Sequence, residues 1–173
     1  MKWFVAAASL IALGACSTVE THSTPNRVIG TESFASVGDA LVRVEVKEDL
    51  PNAFGRADLF GRKRDRGFSE IRYLGLDERG NPVFRRRDVD ILTNETAVNR
   101  MGLGTAAVSL QPVGNGLFAT GTSTRAAPPV IEALPADTIQ FAMDLSQGRV
   151  ITVRDQTIEI IEATASGVRF NLR

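Results

Sequence analysis

Cys16 and His22 are the residues of this chain best suited to act as a nucleophile or a zinc ligand, and each is the sole residue of its type. A Ser/His/Asp triad or a Cys/His pair needs a histidine beside the nucleophile in the folded domain. A zinc site needs several nitrogen or sulfur ligands. Because His22 lies in a polar segment near the N-terminus, the sequence predicts neither nucleophilic catalysis nor a zinc site. We expect no cofactor and no metal.

Paired carboxylates are the remaining catalytic arrangement, because glycoside hydrolysis needs only two acids at a set separation. Asp88, Asp90 and Glu95 are candidates. Acidic residues are scattered through the chain, however, and the glycine and closing glutamate of a calcium loop are missing around Asp88 and Asp90. We therefore expect a protein that is not an enzyme, with a hydrolase as a third option.

The segment that ends at Cys16 contains the most specific motif. Lys2 precedes a short apolar run over residues 4–13, and small residues follow that run before the cysteine, in the order Leu13, Gly14, Ala15. The run is too short to span a membrane, which takes about 20 apolar residues. It is typical of a cleaved export signal. The arrangement resembles the lipobox of bacterial lipoproteins.

This resemblance implies cleavage between Ala15 and Cys16, diacylation of the Cys16 thiol and N-acylation of the new terminus. Ser17 rather than Asp follows the cysteine, which by the same resemblance favours transport to the outer membrane, facing the periplasm. Two or more acyl chains anchor a protein stably. We expect residues 1–15 to be a cleaved signal peptide and residues 16–29 to be the lipidated Cys16 and a flexible tether.

Charge and length limit the partners and the number of domains. The chain has 20 basic and 20 acidic residues, whereas nucleic-acid binding depends on a clear basic excess. We therefore expect no nucleic-acid partner. Residues 30–173 are enough for one core and contain no internal repeat, so they predict a single domain.

Positive charge is nevertheless concentrated locally, since ten of the 20 basic residues lie between Phe54 and Ile91. We predict that seven of them form a patch facing a polyanion or a partner protein: Arg62, Lys63, Arg64, Arg66, Arg85, Arg86 and Arg87. Alternation along a strand sends Arg86 to the face opposite Arg85 and Arg87, so at least one of the three must leave this patch. The alternative is a solvated strand surface with ion pairs.

A period-two pattern of apolar residues predicts the elements that position these side chains. Val42, Val44 and Val46 share one face of a strand, and residues 138–145 and 168–172 repeat the pattern. Turn-forming residues at 77–82, 113–116 and 154–156 predict three hairpins. Helical periodicity is nearly absent, and residues 52–59 give the best candidate for a turn or two of helix.

The fold class predicted from this pattern is all-β: a single antiparallel β-sandwich or small β-barrel of about eight short strands, with little helix. Residues 93–105 and 123–137 are predicted to be surface loops. Phe54 and Phe60, in a segment rich in turn formers, are predicted to pack in the core, with an exposed contact site as the alternative.

The function expected is that of a membrane-anchored, non-enzymatic structural or interaction module of the envelope. Its expected partners are the membrane, through Cys16, and an envelope protein, an anionic lipid or lipopolysaccharide. The alternative is a carrier of a small apolar ligand, in which a lipid-binding barrel would enclose a cavity of several hundred Å³.

Overall fold

The computed structural model describes residues 17–113 and 116–173. These residues contain twelve strands and one short helix: β1 (Thr21–Pro25), β2 (Glu32–Ser36), β3 (Ala40–Asp49), β4 (Lys63–Leu76), β5 (Pro82–Thr93), α1 (Ala97–Arg100), β6 (Thr105–Val113), β7 (Gly116–Thr124), β8 (Ile131–Ala133), β9 (Asp137–Ala142), β10 (Val150–Val153), β11 (Gln156–Ala163) and β12 (Gly167–Leu172).

The strands form three antiparallel sheets. The largest has the order β1-β3-β4-β5-β8, with β9 also paired to β5; the second has the order β10-β11-β12-β2; and β6 pairs with β7. The predicted all-β class is therefore confirmed, in its sandwich-like form, and the sheets do not close into a barrel. Twelve strands replace the expected eight or so, because short edge strands such as β1 and β8 carry no alternating apolar pattern.

The chain divides into two compact units. Within the described residues, unit 1 comprises residues 17–20, Asp49–Arg64 and Thr93–Ile131. Unit 2 comprises Thr21–Glu48, Asp65–Leu92 and Glu132–Arg173. The single domain expected over residues 30–173 stays a prediction.

Unit 2 contains a core built from two sheets. Apolar side chains of β3, β4 and β5 pack with those of β10, β11 and β12, and the largest fully buried ones are Tyr73, Phe84 and Phe170. The Tyr73 and Phe84 rings are 5.7 Å apart between centroids. The Tyr73 hydroxyl donates a 2.7 Å hydrogen bond to the carbonyl oxygen of Thr164, so the polar end of this buried ring has a partner.

The alternating pattern predicts this core well. Val42, Val44 and Val46 are all buried, as expected for one face of β3. The three predicted hairpins are confirmed as β4–β5, β6–β7 and β10–β11. The alternation over residues 138–145 also predicts that Ile139 is buried, but Ile139 lies opposite Arg86 and is 53% exposed.

The segment predicted as a flexible tether contains a strand. Thr21–Pro25 pairs with β3, placing His22 opposite Lys47, and the backbone N–H of Gly30 donates to the carbonyl oxygen of Leu172 at 2.8 Å. The prediction of a flexible tether is therefore wrong for residues 21–25. The physical reason is that an edge strand gains its hydrogen bonds from its neighbour and needs no apolar pattern of its own.

Unit 1 contains the β6–β7 hairpin, helix α1 and the loop over residues 50–62. Thr96 caps α1: its hydroxyl accepts from the backbone of Asn99 at 3.3 Å, while the Asn99 side chain accepts from the backbone of Thr96 at 2.7 Å. A helix of four residues is too short to show helical periodicity, so the sequence predicts only a loop there.

The 50–62 loop differs from both of its predictions. No helix forms over residues 52–59, which adopt turns instead. Phe54 and Phe60 do not pack in the core, since they are 88% and 81% exposed. Their backbone is held by turns rather than by an apolar partner, as described below.

Candidate functional site

Three arginines meet on one face of the largest sheet in unit 2. In the antiparallel pairing of β4 with β5, Arg72 lies opposite Arg85 and Glu70 lies opposite Arg87. Directly opposed residues share a face, and so do residues two apart on one strand. Strand β9 extends this face, because Thr138 pairs with Arg87. The hairpin register therefore gathers these side chains from three strands.

These five residues line a groove of about 220 Å³. Glu70 accepts two hydrogen bonds from the Arg72 guanidinium, at 3.0 Å and 2.8 Å, and Arg72 also donates to the carbonyl oxygen of Gly38 at 2.5 Å. Arg72 is thus fixed by three contacts. Three guanidinium groups share the groove with one carboxylate, so it carries excess positive charge.

Arg87 and Arg85 differ in how they are held. The guanidinium carbon of Arg87 lies 5.8 Å from the centroid of the Phe68 ring, and that of Arg43 lies 3.6 Å from the same centroid. Such cation–π contacts orient a guanidinium without neutralising its charge. Arg85 is exposed and makes no hydrogen bond or ion pair with any residue that the structure describes.

This arrangement suits an anion. Arg72 and Arg85 are like charges directly opposed across a strand pair, a destabilising arrangement in a sheet that the Glu70 carboxylate beside Arg72 offsets only in part. A phosphate or carboxylate between them would remove that repulsion. Guanidinium groups bind such oxygens through paired N–H donors, and the bond is stronger when both partners are charged.

The predicted basic patch is only partly assembled here. Arg85 and Arg87 line the groove. Arg86 lies on the other face of the sheet, where its register partner on β4 is Ile71 and where it forms an ion pair with Asp88 at 2.7 Å. The alternation expected for these three consecutive arginines is observed. Arg72 belongs to the groove but was not in the predicted patch. The signal that identifies it is the register of the hairpin, which places it opposite Arg85.

The other four predicted patch residues have acidic or carbonyl partners. Within unit 1, these are Arg62 with Asp58 at 2.8 Å, Lys63 with Asp49 at 3.3 Å, and Arg64 with the carbonyl oxygen of Glu95 at 2.9 Å; within unit 2, Arg66 pairs with Glu48 at 3.3 Å. Their contacts match the ion-paired surface that the sequence left as the alternative. Compensated charges attract a polyanion less than free ones do.

The candidate carboxylates are also paired. Asp90 lies 3.5 Å from Arg154, and Glu95 lies 2.6 Å from Arg100. The hydrogen bond from Arg100 is the main reason that the pKa of Glu95 is lowered, against the opposing effect of burial. A general acid needs a raised pKa instead, so this glutamate is not tuned for that role.

Two further features concern metals and membranes. Residues 17–113 and 116–173 contain no group of three or more His, Cys, Asp or Glu side chains placed to hold a metal ion. In the same residues, no helix has the length and apolar character needed to cross a membrane. Cys16, the predicted lipidation site, lies outside the described residues.

No protein-family model matches this chain, and comparison with curated proteins and with solved structures finds no match.

Proposed function

We propose that this protein is a lipid-anchored, non-enzymatic module of the bacterial outer membrane that binds an anionic group of an envelope partner. The anchor is the lipid on Cys16, inferred from the lipobox resemblance. The binding site is the arginine groove of Arg72, Arg85 and Arg87.

The observation that carries the binding proposal is the imbalance of charge in this groove. Glu70 already accepts from Arg72, and the part of the chain that the structure describes gives Arg85 and Arg87 no acidic partner. The volume of about 220 Å³ admits a phosphate or carboxylate group with its first substituents. Phosphates of lipopolysaccharide have this chemistry, and so do acidic side chains of a protein partner.

The anchor is tested by Cys16→Ala. The variant is expected to leave the membrane fraction for the soluble periplasmic fraction, or to remain with its signal segment uncleaved. Mass spectrometry of the N-terminal peptide of the unmodified protein is expected to show acyl chains on Cys16. A Cys16→Ala protein that matures and stays with membranes as before would refute the anchor.

The groove is tested with lipidated protein in neutral vesicles, by measuring the capture of lipopolysaccharide across a salt series. A basic residue near an anionic surface contributes about 1 kcal/mol, so the double variant Arg85→Gln, Arg87→Gln should weaken capture about 25-fold. The control is Arg79→Gln, which removes one positive charge, half of the change in the double variant, from the exposed β4–β5 turn. Equal capture by all three proteins, or capture that is independent of salt, would contradict the proposal.

A further inference from the structure

The 50–62 loop of unit 1 is closed and internally bonded. Its ends meet where the backbone N–H of Leu50 donates to the carbonyl oxygen of Arg62 at 2.8 Å, and Leu50 itself is fully buried. Within the loop, the Asn52 side chain accepts from the backbone N–H groups of Phe54 at 2.8 Å and Arg56 at 3.2 Å. A segment closed in this way is an Ω-loop held by its own polar groups.

The second turn of the loop is fixed by Asp58. Its carboxylate accepts from the Arg62 guanidinium at 2.8 Å and 2.9 Å, and from the backbone N–H of Phe60 at 3.2 Å. The Asp58 side chain is only 5% exposed. The guanidinium carbon of Arg62 also lies 5.3 Å from the Phe60 ring centroid. The polar groups thus point into the loop.

The apolar side chains point outward. Phe54, Leu59 and Phe60 are 88%, 77% and 81% exposed. Exposing three large apolar side chains on one short, well-bonded loop is unfavourable in water. Clusters of this kind mark protein-contact or membrane-contact sites.

The N-terminus of the described chain lies at this loop. The carbonyl oxygen of Ser17 accepts a 3.2 Å hydrogen bond from the backbone N–H of Ala57, midway between Phe54 and Leu59 in the sequence. The backbone N–H of Glu20 donates to the Asp49 carboxylate at 3.2 Å, and that of Asp49 donates to the carbonyl oxygen of Glu20 at 2.9 Å. The residue that follows Cys16 is therefore bonded to the loop that exposes these side chains.

Charge around the loop favours a lipid surface over an acidic partner. Arg62 is paired with Asp58, and Lys63 is paired with Asp49 at 3.3 Å. Since these cations are compensated, the free energy of contact comes mainly from apolar burial, as for side chains that enter the boundary between headgroups and acyl chains.

We infer that the 50–62 loop is a membrane-contact loop, with Phe54, Leu59 and Phe60 inserted at the headgroup level of the bilayer that holds the lipid anchor. The inference rests on the proposed lipidation of Cys16. The anchor supplies the affinity, and the loop sets how unit 1 meets the membrane surface.

Tryptophan fluorescence can test this membrane contact, because the single tryptophan of the chain, Trp3, belongs to the predicted signal peptide. Phe60→Trp would place the sole tryptophan of the mature protein in the loop. The matched control is Phe34→Trp on β2 of unit 2, where Phe34 is also an exposed aromatic residue, at 54%. Both lipidated proteins are reconstituted in vesicles of phosphatidylethanolamine and phosphatidylglycerol, with or without bromine on the acyl chains.

The expected result is blue-shifted emission and loss of most of the intensity in brominated vesicles for Phe60→Trp, with neither effect for Phe34→Trp. An acylated, membrane-bound Phe60→Trp protein whose emission is unchanged would overturn the loop contact and leave the anchor intact. Equal quenching of both variants would also overturn it. If mass spectrometry shows no acyl chain on Cys16, the anchor and the loop inference fall together.

Discussion

Gly67 and Gly75 on β4 give a controlled test of the strand pairing that builds the arginine groove. Both adopt nearly the same backbone angle, φ +111° and φ +112°, which residues with a side chain rarely adopt. Their surroundings differ. A Cβ atom at Gly67 would overlap the carbonyl oxygen of Val89 and lie 2.8 Å from its carbonyl carbon, whereas a Cβ at Gly75 would meet only the Val37 side chain at 3.9 Å.

The pair separates backbone strain from steric overlap. Gly75→Ala carries only the strain of a sparsely populated backbone angle, about 1–3 kcal/mol. Gly67→Ala carries the same strain together with an overlap against backbone that cannot rotate away, which adds about 1–3 kcal/mol. At about 2–4 °C per kcal/mol for a chain of this size, an overlap of about 1–3 kcal/mol should make Gly67→Ala melt about 2–12 °C below Gly75→Ala.

Circular dichroism of the two variants during thermal and urea unfolding measures this difference. The slope of the urea transition should be the same in both, since neither variant changes the surface exposed on unfolding. Equal losses of stability in the two variants would refute the reasoning, because they would mean that β4 and β5 do not approach as closely at Gly67 as the pairing with Asp90 requires.

Three other predictions concern single contacts. Hydrogen bonds from Arg62 are the main reason that the pKa of Asp58 is lowered, from 3.8 to about 2. Because this folded-state pKa lies below the unfolded value, ionised Asp58 stabilises the folded state fully above about pH 4, and this stabilisation is lost as the pH falls towards 2. An NMR titration of the loop should show the lowered pKa of Asp58. The titration should be absent in Asp58→Asn. Tyr73→Phe removes the hydrogen bond to Thr164 and should cost about 1 kcal/mol in the free energy of unfolding. Phe84→Ala leaves a cavity in the fully buried core and should cost about 3–5 kcal/mol, measured by urea unfolding.

The amino-acid sequence by itself determined the fold class and much of the core of unit 2. Alternation with period two identified Val42, Val44 and Val46 as one buried face, and it separated Arg86 from Arg85. These are local properties, because a strand directs successive side chains to opposite faces whatever its neighbours are. The lipobox resemblance at Cys16 is local in the same sense, and it is carried by a few adjacent residues.

The partner of each charged residue was decided only by the tertiary structure. Arg64 donates to the carbonyl oxygen of Glu95, 31 residues away in sequence, and Arg72 donates to that of Gly38, 34 residues away. No pattern within a strand shows which group from a distant part of the sequence will contact a given side chain. Of the seven basic residues in the predicted patch, only Arg85 and Arg87 therefore line the groove, and Arg85 has no acidic partner among the described residues.

The exposure of Phe54 and Phe60 in the 50–62 loop was likewise decided only by the tertiary structure. Composition predicts that Phe54 and Phe60 are buried, because large apolar side chains usually leave water. Whether they can do so depends on whether a core lies within reach of the loop. Here the loop closes on Leu50 and on the polar contacts of Asn52 and Asp58, so the aromatic rings are directed outward. Local sequence sets which side chains are apolar, and long-range folding sets which of them find a partner.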